Sequence, residues 1–79
     1  MKKADYINLC VGKTQAFIQD VIFPEHANAY WTSNGESYRP CILLDDEPIN
    51  DFVTIVTRGR GFTHHPSKNV IMMENVEVS

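Results

Sequence analysis

The segment from Thr57 to Lys68, TRGRGFTHHPSK, concentrates the side chains of this chain that could bind a charged partner. It holds three of the seven Lys and Arg residues, two of the three His and two of the four Gly, and it contains no carboxylate. A loop held between two strands is a common place for a binding site, because rigid elements position it while its side chains stay free. The pattern therefore predicts a basic binding loop, whose candidate residues are Arg58, Arg60, Phe62, His64, His65 and Lys68.

The first part of this loop, from Arg58 to Phe62, has the residue types that contact nucleic acid. Guanidinium groups pair with phosphates, and an aromatic ring stacks on a base. The glycines also suit the turn of a hairpin with solvated arginines, and the short pattern fits that interpretation better. Proteins that bind nucleic acid non-specifically are usually basic, whereas this chain has a formal net charge of −3. Nucleic-acid binding is therefore the second hypothesis for function.

The three histidines, His26, His64 and His65, define a third hypothesis, a small metal-dependent enzyme. Zinc sites use three or four ligands at recognisable spacing, and adjacent residues of an extended strand point to opposite sides. His64 and His65 would therefore not share one site, and no nucleophile is placed beside a base in any predicted element. The prediction is a protein without metal, cofactor or enzymatic activity.

Two other features are candidates for contact with a protein partner. The acidic turn formed by Asp45, Asp46 and Glu47 could meet a basic surface, and it lacks the glycine-centred pattern of a calcium loop. Trp31 is the only tryptophan of the chain, and exposed aromatic residues of this kind dominate protein interfaces. Its other role, which the sequence favours for a single tryptophan, is to cover a small core through cross-strand contacts.

The elements that must position these residues begin with an N-terminal helix, predicted from Asp5 to Ile22. Apolar residues recur there at three- and four-residue spacing, which is typical of a helix that covers a core with one face. Asp5 is the predicted N-terminal cap, and Pro24 is the predicted end of the helix. The predicted buried stripe contains Ile7, Cys10, Val11, Thr14, Phe17, Ile18, Val21 and Ile22.

Strand-like runs follow the helix, and the Asn-Gly pair at Asn34 predicts a hairpin between the first two. If Tyr30 and Trp31 belong to a loop instead, the number of strands falls to three. The predicted fold class is α+β, with an N-terminal amphipathic helix packed on a three- to four-stranded antiparallel β-meander. The predicted strands run from Asn28 to Ser33, from Glu36 to Leu44, from Asp51 to Thr57 and from Asn69 to Val78.

A chain of 79 residues has room for one domain. No apolar run is long enough to span a membrane, so a cytoplasmic protein is predicted. Cys10 and Cys41 form no Cys-x-x-Cys pair and are predicted to be small buried apolar residues, with a single disulfide as the alternative if the protein is exported. The leading functional hypothesis is a small acidic binding module that acts on a partner protein as an accessory protein, inhibitor or adaptor. Many phage-encoded regulators have this size and charge. Neither the partner's identity nor the oligomeric state follows from the sequence.

Overall fold

The protein has helices on one side of an antiparallel sheet, and the predicted α+β class is confirmed. A computed structural model describes residues 2–44 and 48–75. The acidic turn predicted at Asp45, Asp46 and Glu47 lies outside these residues, as does the end of the predicted last strand. None of the helices in the described ranges is long and apolar enough to cross a membrane.

The predicted single helix from Asp5 to Ile22 is wrong, because the chain breaks into two helical runs. Helix α1 spans Lys3–Cys10, and a second run begins with α2 at Gln15–Phe17. Between them Gly12 has a φ of 76°, a backbone conformation that glycine adopts without steric cost. The second run is capped by Thr14, whose Oγ1 accepts a hydrogen bond from the Phe17 N–H at 3.1 Å.

The second helical run also continues past Pro24, where the sequence predicted an end. A π turn at Ile18–Ile22 follows α2, and the N–H of Phe23 bonds to the carbonyl of Ile18, five residues back. Helix α3, Phe23–His26, begins at this wide turn. Pro24 therefore lies directly after the π turn, in the first turn of α3, where it contributes no N–H to the helix.

The sheet has five strands rather than three or four, in the order β4-β3-β2-β1-β5. Strands β1 to β4 form a meander in which each pairs with the next, and β5 returns to pair with β1. A 3-10 turn at Ser67–Asn69 leads from β4 into β5, and a second one at Met73–Asn75 follows β5. The strands are β1 Ala29–Trp31, β2 Arg39–Leu43, β3 Phe52–Thr57, β4 Gly61–Pro66 and β5 Val70–Met72.

The additional strand is β4, and it occupies half of the segment predicted to be a basic loop. Its pairing with β3 runs from Phe52 opposite Pro66 to Thr57 opposite Gly61. Only the residues from Arg58 to Arg60 form a turn. Strand β4 is regular despite its polar composition, because none of its residues is fully buried and both of its faces tolerate polar side chains.

Two separate clusters of buried side chains lie on the two faces of the sheet. The outer face packs against the helices, where Tyr6, Ile22 and Phe23 meet Ile42, Leu44 and Val56. The inner face carries the second cluster. The sheet curls towards this inner face, because Trp31 of β1 contacts His65 of β4 although two strands separate them. The inner cluster consists of Ala29, Cys41, Val53 and Ile55, flanked by Trp31, Leu43, Val70 and Met72.

Most of the predicted apolar stripe of the helix is not buried. Ile22 belongs to the outer-face core, and Cys10 and Ile18 pack against it. Phe17 keeps 41% of its surface exposed, so its predicted role as a core residue is wrong. The break at Gly12 rotates the second run relative to the first, so one continuous stripe cannot face the sheet. The other exposed members of the stripe are Ile7, Val11, Thr14 and Val21.

Two buried groups make the fold sensitive to alkaline pH. Burial, reinforced by a hydrogen bond with the Cys10 side chain, raises the pKa of Tyr6 from 10.0 to about 12. Burial raises the pKa of the Cys41 thiol from 9.0 to about 12. In this window the unfolded chain has released protons that the folded chain still holds, so rising pH favours unfolding.

We therefore expect full stability below about pH 9 and a decline as the pH rises towards 12. Tyr6→Phe removes one of the two titrations and should reduce that decline by on the order of 1–2 kcal/mol. Chemical denaturation at a series of pH values measures the effect. An identical pH profile in the two proteins would show that Tyr6 ionises equally in the folded and unfolded states.

Candidate functional site

A cleft of about 810 Å³ opens at the end of the sheet, between the β1–β2 loop and the β3–β4 turn, where inner-face Trp31 and outer-face Phe23 both line it. Arg39, Arg58 and Arg60 all line it, and they are the only three arginines of the sequence. No Asp or Glu is among its described lining residues. The cleft therefore gathers positive charge on one side of a chain whose formal net charge is −3.

The β3–β4 turn projects two of these arginines. The N–H of Arg60 bonds to the carbonyl of Thr57 at 3.3 Å, and Gly59 and Gly61 have φ values of 82° and 73°. Residues other than glycine rarely adopt such values. The two glycines thus allow a tight turn that presents Arg58 and Arg60 to solvent at the mouth of the cleft.

Arg58 has one described ionic partner, which leaves it accessible to a ligand. Its Nη2 lies 3.4 Å from Oδ1 of Asp20, and the two side chains are 60% and 70% exposed. An ion pair this exposed contributes little free energy, because water and salt screen it. An anionic ligand can compete with Asp20 for this guanidinium.

The opposite wall is the β1–β2 loop, which is held by its own side chains. The hydroxyl of buried Thr32 accepts a hydrogen bond from the Gly35 N–H at 2.9 Å and donates to Asn34 Oδ1 at 3.1 Å. Asn34 Oδ1 also accepts from the N–H groups of Glu36, at 2.8 Å, and Ser37, at 3.0 Å. Side-chain bonds to the backbone stabilise this longer loop, which replaces the two-residue Asn-Gly turn predicted from the sequence.

The interior of the cleft is aromatic, and a buried hydroxyl without a described partner lies in its wall. The rings of Trp31 and His65 lie 4.6 Å apart between centroids, at an angle of 36°. Thr57 lies on the same inner face, because it is two residues beyond buried Ile55 along β3. Thr57 is 5% exposed, and its Oγ1 has no hydrogen-bond partner among the described residues.

The structure brings four of the predicted binding residues together at this cleft. Arg58, Arg60, His65 and Trp31 line it, although Trp31 was predicted as a separate feature. Phe62 lies on the outer face, with its ring 5.8 Å from the ring of Tyr6 and Lys3 Nζ 5.0 Å above it.

His64 and Lys68 also lie away from the cleft. His64 pairs with Thr54 and is exposed next to His65, which points to the inner face. Lys68 is exposed in the first 3-10 turn and does not line the cleft. The basic segment is therefore divided between two faces of the sheet, as the side-chain alternation of a strand requires.

Arg39 and Thr57 belong to the cleft but were not among the predicted site residues. Arg39 pairs directly with Trp31 across β1 and β2, so side-chain alternation places both on the inner face. The hairpin signal at Asn34 was visible in the sequence. The register of β1 against β2 could not be predicted, because the loop between them is longer than two residues.

The described residues do not bring the three histidines together. His26 is the last residue of α3, and His64 and His65 point to opposite faces of β4. Among residues 2–44 and 48–75, no group of three or more His, Cys, Asp or Glu could hold a metal ion. Cys10 and Cys41 are free thiols.

Comparisons with protein-family models, with curated proteins and with solved structures find no match to this chain. The functional conclusion below therefore depends on the chemistry of the cleft.

Proposed function

We propose that this protein is a non-enzymatic binding module whose cleft takes the phosphate groups of a nucleic acid. The observation that supports this proposal most strongly is that all three arginines of an acidic chain line one cleft. Guanidinium groups match phosphate oxygens with paired hydrogen bonds. Trp31 and His65 in the same cleft add aromatic surface of the kind on which bases stack.

The distribution of charge supports a local contact with the nucleic acid. The chain has seven Lys and Arg against ten Asp and Glu, so its net charge repels a polyanion. A phosphate backbone is then attracted only where the arginines outweigh the carboxylates. We expect moderate affinity and a salt dependence set by a few contacts, because each neutralised phosphate releases counterions.

A protein partner is the second candidate, and it was the first choice on the sequence alone. Apolar side chains on the helices favour it, since Val11 is 68% exposed and Ile7, Phe17 and Val21 are each more than 40% exposed. Such residues could form the apolar part of an interface. For either partner we propose action in the cytoplasm, where the free thiols of Cys10 and Cys41 persist.

Direct binding of purified protein to single-stranded DNA and RNA at low salt tests the proposal. We expect binding that weakens linearly on a logarithmic scale as salt increases. Polyglutamate, which is a polyanion without phosphates or bases, is the matched control and should bind more weakly. No binding to any nucleic acid at low salt would contradict the proposal. A retained partner in extracts treated with nuclease would then favour the protein candidate.

A further inference from the structure

We infer that the cleft accepts one unpaired base against Trp31, with Thr57 as its polar contact, so that the protein binds single strands in preference to duplexes. This inference depends on the proposed nucleic-acid function and specifies its ligand. The preference for single strands is inferred from the positions of three kinds of group: the charged groups lie at the rim of the cleft, the aromatic rings lie deeper, and the hydroxyl is buried.

The arginines form an exposed rim and the aromatic rings lie deeper. Arg39, Arg58 and Arg60 are exposed, whereas Trp31 and His65 are half-buried. A strand whose phosphates contact the rim can place a base on the rings below only if that base is free to leave its stack. In a duplex each base face is covered by its neighbours, so a duplex could offer only its backbone to the rim. Single-stranded ligands combine both contacts.

The rings of Trp31 and His65 lie 4.6 Å apart between centroids, so they contact each other and a base cannot enter between them. Both rings line the open cleft, where a base can stack on the surface that they present together. Trp31 also packs against the inner cluster. A pair of rings held in this way is ordered before a base binds, which lowers the cost of binding.

Thr57 supplies the polar contact next to these rings. Thr57 lines the cleft. Its Oγ1 is buried and has no hydrogen-bond partner among the described residues, so contact with a ligand requires rotation of this side chain towards the cleft. Buried hydroxyl groups are normally hydrogen-bonded, so a bound base or sugar that bonds to Thr57 Oγ1 would satisfy a group that the protein leaves unpaired. A hydroxyl can donate or accept, which suits the edge of a base.

The fluorescence of Trp31 provides the test, because Trp31 is the only tryptophan. Purified protein is titrated with a single strand of about eight nucleotides, with the duplex of the same sequence and with an abasic strand of equal length. We expect the single strand to quench Trp31 and to bind at least about tenfold more tightly than the other two. The abasic strand keeps the phosphates and loses only the contacts made by the bases.

Thr57→Val removes the hydroxyl, and Thr63→Val is its matched control. Thr63 has a second buried hydroxyl without a described partner, but it does not line the cleft. We expect Thr57→Val to weaken single-strand binding by roughly 3- to 10-fold with an unchanged salt dependence. We expect Thr63→Val to bind like the unmodified protein. Circular dichroism confirms that each variant is folded.

The outcomes separate this inference from the proposed function. Equal affinity for the single strand, the duplex and the abasic strand, without quenching of Trp31, would overturn the inference and leave phosphate binding by the cleft intact. Failure of all three ligands to bind would contradict both. Quenching with unchanged affinity in Thr57→Val would overturn the role of Thr57.

Discussion

Phe23→Ala should lower the free energy of unfolding by about 3–5 kcal/mol, and Phe17→Ala should lower it by about 1 kcal/mol. Phe23 is 5% exposed and lies in the outer-face core with Ile42 and Val56, whereas Phe17 is 41% exposed. Truncating a buried ring leaves a cavity that the surrounding side chains cannot fill. The half-exposed ring of Phe17 loses less contact, and water can occupy its place.

Denaturant unfolding of the two variants measures this difference. Small domains are stable by only about 5–15 kcal/mol, so Phe23→Ala could leave no folded state. Phe23→Leu then provides a milder variant, which should be destabilised and still fold. Equal losses for Phe17→Ala and Phe23→Ala would show that the break at Gly12 is absent and that one continuous helical stripe faces the sheet.

Replacing Arg39, Arg58 and Arg60 together by Ala should lower the affinity for a single strand by roughly 100-fold at low salt. The three side chains are exposed at the rim of the cleft, so the variant should remain folded. Each phosphate contact to a single strand contributes about 0.7 to the slope of affinity against salt on logarithmic scales. Loss of three contacts should therefore reduce that slope by about 2.

A second triple variant controls for the change in net charge. Lys2, Lys13 and Lys68 are exposed and do not line the cleft, and their replacement by Ala removes the same three positive charges. We expect this variant to retain most of the affinity and nearly the full salt slope. Equal losses in the two triple variants would mean that overall charge controls binding and that the cleft has no special role.

The sequence predicted the class of fold and much of the sheet, because those depend on local patterns. The β-branched run of β3 was assigned to within a residue, and β1 and β2 lie inside the predicted strands. The prediction of one continuous helix was wrong at Gly12, because a periodic apolar pattern does not reveal that one helical run is rotated relative to the next. Strand β4 was missed because His64, His65 and Gly61 lack the apolar alternation of a half-buried strand.

The cleft could be predicted only in part. Arg58 and Arg60 stood out because they are adjacent to glycines, and Trp31 stood out as a single large aromatic residue. Their proximity depends on the curl of the sheet, which brings β1 towards β4. Arg39 and Thr57 have no local signal, since their roles come from the register of β2 and β3. The register between strands that are distant in sequence cannot be predicted from the residues of one short segment.

Backbone amide spectra of the isotope-labelled protein, recorded by NMR during titration with a single strand at low salt, test the central claim most directly. We expect the largest shifts at Trp31, Arg39, the turn 57–60 and His65. We expect small shifts at His64 and Lys68, which belong to the same basic segment but lie away from the cleft. Shifts confined to the exposed helix residues, or no shifts at all, would contradict the assignment of the cleft as a nucleic-acid site.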